Sequence, residues 1–130
     1  MTIIKDIRAF IVESSSKSSD YTSQPKGHWI TDTLVANPMA IYPEYRGSRT
    51  SWGIGILGSV VVEVELENGV IGVGISTAGH PGCWLIEHHL KQFAIGQNVT
   101  NVEMIWDQMW RASMPYGRKG ITIHAISAID

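Results

Sequence analysis

The chain has 130 residues, 44% hydrophobic and 17% charged, with a formal net charge of −2, the make-up of one globular domain rather than a disordered tail. Its 10 Lys and Arg are scattered among 12 Asp and Glu and give no broad positive field, which argues against a nucleic-acid partner. No apolar run approaches the roughly 20 residues of a bilayer span, and Met1 to Phe10 carries Lys5, Asp6 and Arg8, so neither a membrane segment nor a signal peptide is read. The single cysteine, Cys83, makes no intrachain disulfide and fits a reducing compartment, so the expected location is the cytoplasm.

From Ile3 to Val12, Ile7, Ala9 and Ile11 alternate with Asp6, Arg8 and Phe10, which predicts a half-buried first strand. Glu13 to Lys26 is Ser-rich and supplies no core; it reads as a long loop, a mild hint of a lid or binding segment. Gly27 to Trp52 holds Trp, Tyr, His and Pro, with Pro38 and Pro43 interrupting any helix, and reads as irregular but ordered. Val60 to Glu67 and Val70 to Ile75 flank Asn68-Gly69, the preferred two-residue type I′ hairpin turn. That turn sets Leu66 against Ile71, Val64 against Val73 and Val62 against Ile75, all on one apolar face, with Glu63 and Glu65 opposite Gly74 and Gly72 on the other.

After His80-Pro81-Gly82 the spacing of Cys83, Ile86, Leu90, Phe93 and Ala94 predicts a helix of about three turns, with Gly96 as its C-terminal cap. Thr100-Asn101-Val102-Glu103 has the form of a capping box before a second helix with Val102, Ile105, Trp106 and Met109 on its buried stripe, stopping before Pro115. Thr122, Ala125, Ile126 and Ile129 predict a third helix that reaches Asp130 without a stop signal, so the chain reads as cut there. Its stripe, with part of the Trp-rich helix, is expected to be left uncovered in this chain and to favour self-association.

Little of this carries chemistry by spacing. His88 and His89 point about 100° apart on a helix and offer no zinc set, so Glu87-His88-His89 reads as a polar face. Glu63, Glu65 and Glu67 read as a solvated face, and no Asp/Glu constellation offers a Mg²⁺ cage. Cys83 reads as core despite its place at a helix start, and Trp84, Trp106 and Trp110 as packing residues. Neither Gly-rich stretch, Gly53 to Gly58 or Gly72 to Gly74, has the form of a phosphate loop. Arg49, in a loop beside Trp52, has the fork geometry that holds carboxylates, although composition alone makes it a surface or salt-bridging residue.

Taken as a set, Gly27-His28-Trp29-Ile30, Pro38-Met39, Tyr45 with Ser48-Arg49, Gly53-Ile54, Leu57 to Val64, Glu67-Asn68-Gly69 and Ser76-Thr77-Ala78-Gly79 resemble the start of the L-rhamnonate dehydratases. That family lies in the mandelate racemase branch of the enolase superfamily. Gly82-Cys83, Glu87 to Leu90, Asp107-Gln108-Met109 and Ile126-Ser127 with Asp130 continue the match in the same order. The resemblance implies an α+β fold, an N-terminal capping domain with a three-stranded antiparallel sheet followed by helices, over a (β/α)-barrel missing from this chain. Residues 1–120 would be the cap, 13–52 its substrate-lid loops, and 121–130 the start of a linker helix.

The resemblance also implies a reaction: removal of the proton α to a sugar-acid carboxylate and loss of the β-hydroxyl, to a 2-keto-3-deoxy acid, with Mg²⁺ steadying the charge on the carboxylate. Metal ligands and base would lie in the barrel, with no cofactor held by this chain, and the whole protein would be a homo-oligomer. Arg49 matches the family's substrate-contacting arginine. Thr22, in Asp20-Tyr21-Thr22-Ser23-Gln24, stands where the family has a histidine; a hydroxyl reaches less far and bears no charge. His28 follows nearby, in the family's His-Trp-Ile. The expected substrate is L-rhamnonate; a different acid sugar, or a stand-alone carboxylate-binding module without enzymatic activity, are the alternatives.

Overall fold

The computed structural model describes residues 1–12, 38–46 and 57–130. The chain divides into two compact units, Met1–Glu13 with Leu57–Asp130, and Ser14–Ile56. Within the second, two short 3₁₀ turns, Pro38–Ile41 and Pro43–Tyr45, each begin on one of the prolines that sequence marks as helix breakers. Pro fixes φ near the helical value and has no N–H to leave unpaired in a first turn.

The first unit is built on a three-stranded sheet, β1 (Ile4–Val12), β2 (Ser59–Leu66) and β3 (Ile71–Ser76), antiparallel in the order β1-β2-β3. The alternation predicted for β1 holds: Ile7 is fully buried and Ala9 packs on the core, while Phe10 is exposed. Ile7 pairs with Val64, Arg8 with Glu63 and Ala9 with Val62, with a register shift between Ile4 and Asp6.

The β2–β3 hairpin forms at Asn68-Gly69, but in a register one residue away from the predicted one. Val62 pairs with Gly74, Val64 with Gly72 and Glu65 with Ile71. The Leu66 N–H donates to Val70 O at 2.9 Å, and the Gly69 N–H donates back to Leu66 O at 2.9 Å. The loop is therefore Glu67-Asn68-Gly69, three residues, with Gly69 at φ 84°. A type I′ turn needs positive φ at both central residues, and among the described residues no non-glycine has one; the three-residue turn closed by a left-handed glycine is the alternative geometry.

The shift turns β3 over. Gly72 and Gly74 face the core side with Val62 and Val64, while Ile71, Val73 and Ile75 join Glu63 and Glu65 on the outer face, 49%, 64% and 72% exposed. The physical reason lies in a helix. A Cβ built on Gly74 would overlap the main-chain carbonyl of Ala128, so only glycine lets that helix settle on the strand.

Three helices cover the core side: α1 (Gly79–His88), α2 (Val102–Ala112) and α3 (Ile121–Ile129). The single helix predicted from Cys83 to Ala94 is broken. His89, at φ −139° and ψ −53°, ends α1, and Leu90–Phe93 continues as a 3₁₀ turn. The break lets the chain reach β1, where the Gly96 N–H donates to Ile4 O at 2.8 Å and the Ile4 N–H to Gln97 O at 2.9 Å. The capping box is not made either: α2 starts after Asn101, with no side-chain cap bond, because Asn98 Oδ1 accepts from the Thr100 N–H at 3.2 Å and forms a local turn instead.

The stripe on α3 is not left uncovered. Thr122, Ala125, Ile126 and Ala128 are buried, packed on α1 and on both hairpin strands. They join Ile7, Val60, Val62, Ile86, Leu90 and Met109 in one core, each large side chain contributing roughly 1.5–3 kcal/mol by burial. Trp106 and Trp110 pack on this core as predicted, but Trp84 is 59% exposed.

Gly74→Ala is expected to cost about 3 kcal/mol, since backbone cannot move aside as a flexible side chain does, whereas Gly72→Ala, with nothing within 4 Å of its new Cβ, is expected to change stability by less than about 1 kcal/mol. Thermal melts of the two variants check this; equal effects would refute the inward register.

Candidate functional site

The three residues that sequence nominates for substrate, Arg49, Thr22 and His28, lie outside the described residues. Their described neighbour in sequence, Pro38 to Arg46, is tied locally: Arg46 Nε donates to Ala40 O at 3.2 Å, and the rings of Tyr42 and Tyr45 meet edge to face at 6.4 Å. An arginine whose Nε is spent on a carbonyl still has its terminal nitrogens to offer an anion.

In the first unit, Glu87, on what sequence reads as a polar face of α1, reaches the outer edge of β1. Glu87 Oε1 accepts from the Ala9 N–H at 2.6 Å. Its other oxygen accepts from Lys91 Nζ at 2.5 Å, which also donates to Ile7 O at 3.4 Å. Cys83 Sγ donates to Ala9 O at 3.4 Å. With Gly96 and Gln97 bonded to Ile4, and Val99 N–H to Thr2 O at 2.9 Å, this edge is occupied from Thr2 to Ala9. Burial, and then the Glu87 carboxylate beside it, push the Cys83 thiol above its ordinary range, the opposite of what a nucleophilic cysteine needs. The one sequence signal for this device was the i, i+4 spacing of Glu87 and Lys91.

A second polar chain ties α1 to the end of α2. His89 Nδ1 meets Tyr116 Oη at 2.7 Å, Tyr116 Oη meets the buried Ser113 Oγ at 3.3 Å, and Ser113 Oγ donates to Met109 O at 2.6 Å. No spacing in the sequence signals it, because His89 lies far along the chain from Met109, Ser113 and Tyr116. Nearby, Trp106 and Trp110 stack at 6.2 Å with the Arg118 guanidinium 4.0 Å from the Trp110 ring centre, and Trp84 stacks on His88 at 4.6 Å. A cavity of ≈ 350 Å³ opens between β3, α2 and the end of α3, lined by apolar groups such as Leu66, Val102, Trp106 and Ile129, with Asp130 at its margin. It lacks the cationic fork that a carboxylate requires.

Among the described residues no three His, Cys, Asp or Glu side chains converge as metal ligands, so these residues do not fit a Mg²⁺ site. Among them, too, no helix is long and apolar enough to cross a membrane. In the first unit the ion pairs and polar chains described above hold strands and helices together.

Comparison with known proteins places this scaffold. No family model matches the sequence. A rhamnonate dehydratase from Gibberella zeae, solved in complex with Mg, superposes on 98% of the chain with a TM-score of 0.83 and 42% identity, and the chain covers 31% of it. A racemase from Streptomyces coelicolor with bound magnesium matches 55% of the chain at 27% identity and a TM-score of 0.52, the chain covering 21% of it. By sequence, an L-rhamnonate dehydratase from Saccharopolyspora erythraea is 53% identical over 127 residues, 98% of this chain and 32% of that protein. The chain spans about a third of the length of the curated relatives it matches. The three-stranded sheet with its helices is thus the N-terminal capping fold of the enolase superfamily. Within that superfamily the chain is similar over nearly its whole length to L-rhamnonate dehydratases.

Glu87→Ala is expected to destabilise the unit by about 1–3 kcal/mol, because it strips the Ala9 N–H of its acceptor, while Glu87→Gln keeps an acceptor there and loses less; urea titration orders the two. For Cys83, alkylation by iodoacetamide at pH 8 is expected to run roughly tenfold slower than for a free thiol and to reach the free rate in urea. Fast alkylation of the folded protein would contradict the raised thiol.

Proposed function

We propose that this chain is the substrate-recognition and capping domain of a Mg²⁺-dependent sugar-acid dehydratase acting on L-rhamnonate, which it converts to 2-keto-3-deoxy-L-rhamnonate and water. The observation that carries the reading is the match over 98% of the chain, at 42% identity, to the Mg-complexed rhamnonate dehydratase of Gibberella zeae. In this reading residues 1–120 form the cap, the loops of 13–52 close over the substrate, and 121–130 begin the helix leading to a barrel domain. The barrel carries the metal ligands and the base, so the 130-residue chain alone is inactive. The whole enzyme is a cytoplasmic homo-oligomer.

Bound in the barrel, Mg²⁺ would offset the negative charge that builds on the substrate carboxylate. The cap's own share is to bind, orient and exclude water. Arg49 holds the sugar acid through paired charge-assisted hydrogen bonds, and Thr22 and His28 contact the hydroxyls of the chain. Closing loops over a charged substrate strengthens each of these contacts by removing competing water.

One residue favours a second reading. Thr22 replaces a histidine of the family pattern, and a site that trades an imidazole for a short hydroxyl selects a substrate with a differently placed polar group. The enzyme would then prefer another acid sugar.

Both readings are tested on the full-length enzyme with a panel of sugar acids. Preference for L-rhamnonate supports the first; preference for another acid, moved toward L-rhamnonate by Thr22→His, supports the second. Arg49→Ala is expected to lower kcat/KM by about 10–100-fold, the loss of a charge-assisted pair worth roughly 1.5–3 kcal/mol. An unchanged kcat/KM would remove Arg49 from the site. Turnover by the purified 130-residue chain would overturn the assignment of the chemistry to the barrel.

A further inference from the structure

The two edges of the sheet are treated differently. From Thr2 to Ala9, the β1 edge is covered by Glu87, Lys91, Cys83 and the backbone of residues 96–99. β3 has none of the devices that blunt an exposed edge: Ile71–Ser76 carries no charge, no proline and no bulge. Because Leu66 N–H bonds to Val70 O, the antiparallel alternation directs the backbone groups of Gly72 and Gly74 toward β2 and those of Ile71, Val73 and Ile75 outward, away from the sheet. The same three residues present their side chains on the outer face, half exposed or more.

The sequence of this edge, Ile71-Gly72-Val73-Gly74-Ile75, reads the same in both directions about Val73. We propose that β3 pairs antiparallel with β3 of a second copy of the protein, across a two-fold axis at Val73, extending the sheet through both subunits. A two-fold contact must be self-complementary, and a palindromic strand meets that condition residue by residue. Val73 lies opposite Val73 of the other copy, and Ile71 opposite its Ile75. Each of these pairs exchanges both N–H···O bonds, so every outward backbone group from Ile71 to Ile75 is satisfied. The apolar side chains meet as cross-strand pairs on one face and glycines meet on the other, with no like charges brought together.

The test is a mass and a cross-link, so it stands or falls separately from the dehydratase reading. In sedimentation velocity the protein at its natural full length is expected to be a dimer or an even multiple of one. Val73→Lys, which sets two ammonium groups face to face on the axis, is expected to raise the dissociation constant at least tenfold. Val73→Cys is expected to give a covalent dimer on mild oxidation, since the Cα atoms of such a pair lie about 5.5 Å apart, within disulfide range. Glu67→Cys in the hairpin loop, with native Cys83 retained in both variants, is expected to give none. A monomer at all concentrations, a mass unaltered by Val73→Lys, or no cross-link at Val73 above that at Glu67 would each overturn the proposal. Should Val73→Lys fail to fold, the cross-link decides alone.

Discussion

The Ala128 carbonyl lies where a side chain on residue 74 would be, and the arrangement of the first unit depends on that approach of helix to strand. With glycine there, α3 lies directly on β3, and Thr122, Ala125 and Ile126 reach the sheet and α1 and are buried. With any larger residue the helix would stand off, and the core that Ile126 shares with Val62, Ile86 and Leu90 would open. The same constraint fixes the hairpin register. A strand has two faces and a period of two, so turning Gly74 inward also turns Ile71, Val73 and Ile75 outward. The three-residue loop closed by Gly69 follows, because a two-residue turn would place the glycines on the wrong face.

The two faces of the sheet are then held by different forces. Inside, apolar packing dominates. Outside, Arg8 lies between Glu63 and Glu65 at 3.4 and 3.3 Å, and Lys5 meets Glu65 at 2.6 Å. These are partly exposed pairs, worth roughly 0–1 kcal/mol each, and they fix strand order and orientation more than they stabilise. The Glu87 carboxylate is of another kind. It satisfies a backbone N–H that no strand partner reaches, and losing such an acceptor costs the desolvation of the orphaned donor rather than a surface ion pair. That difference explains why an unremarkable Glu-His-His run on a helix matters to the sheet.

Much of this was legible in the sequence, and the losses have a common cause. β1, the site of the hairpin turn and all three helices follow from local periodicity and from Asn68-Gly69. The register does not, because within the isolated hairpin three apolar pairs look better than apolar residues opposite glycines. Only the later arrival of Ala128 reverses the preference, and nothing local encodes a contact more than fifty residues away. The break at His89 was hidden for a similar reason: Cys83, Ile86, Leu90 and Phe93 keep helical spacing across it, while the pull comes from the pairing of Ile4 with Gln97. The burial of α3 was misjudged because its stripe was assigned to a domain outside the chain when the sheet itself supplies the cover. Arg49, Thr22 and His28 were never legible from spacing; only the motif set that carries the family resemblance singles them out.

The division between the two units has a chemical logic. Every ion pair and polar network described in the first unit ends on another part of that unit, Glu87 on β1, Tyr116 between His89 and Ser113, so the groups in these networks are committed to structure. A group already bonded to its own scaffold contributes little to a ligand, because binding must first break that bond. In the proposed reading, recognition of a charged sugar acid falls to Arg49, Thr22 and His28, all in the stretch between β1 and β2. In that reading the first unit presents this stretch to the substrate, with the reaction itself carried elsewhere.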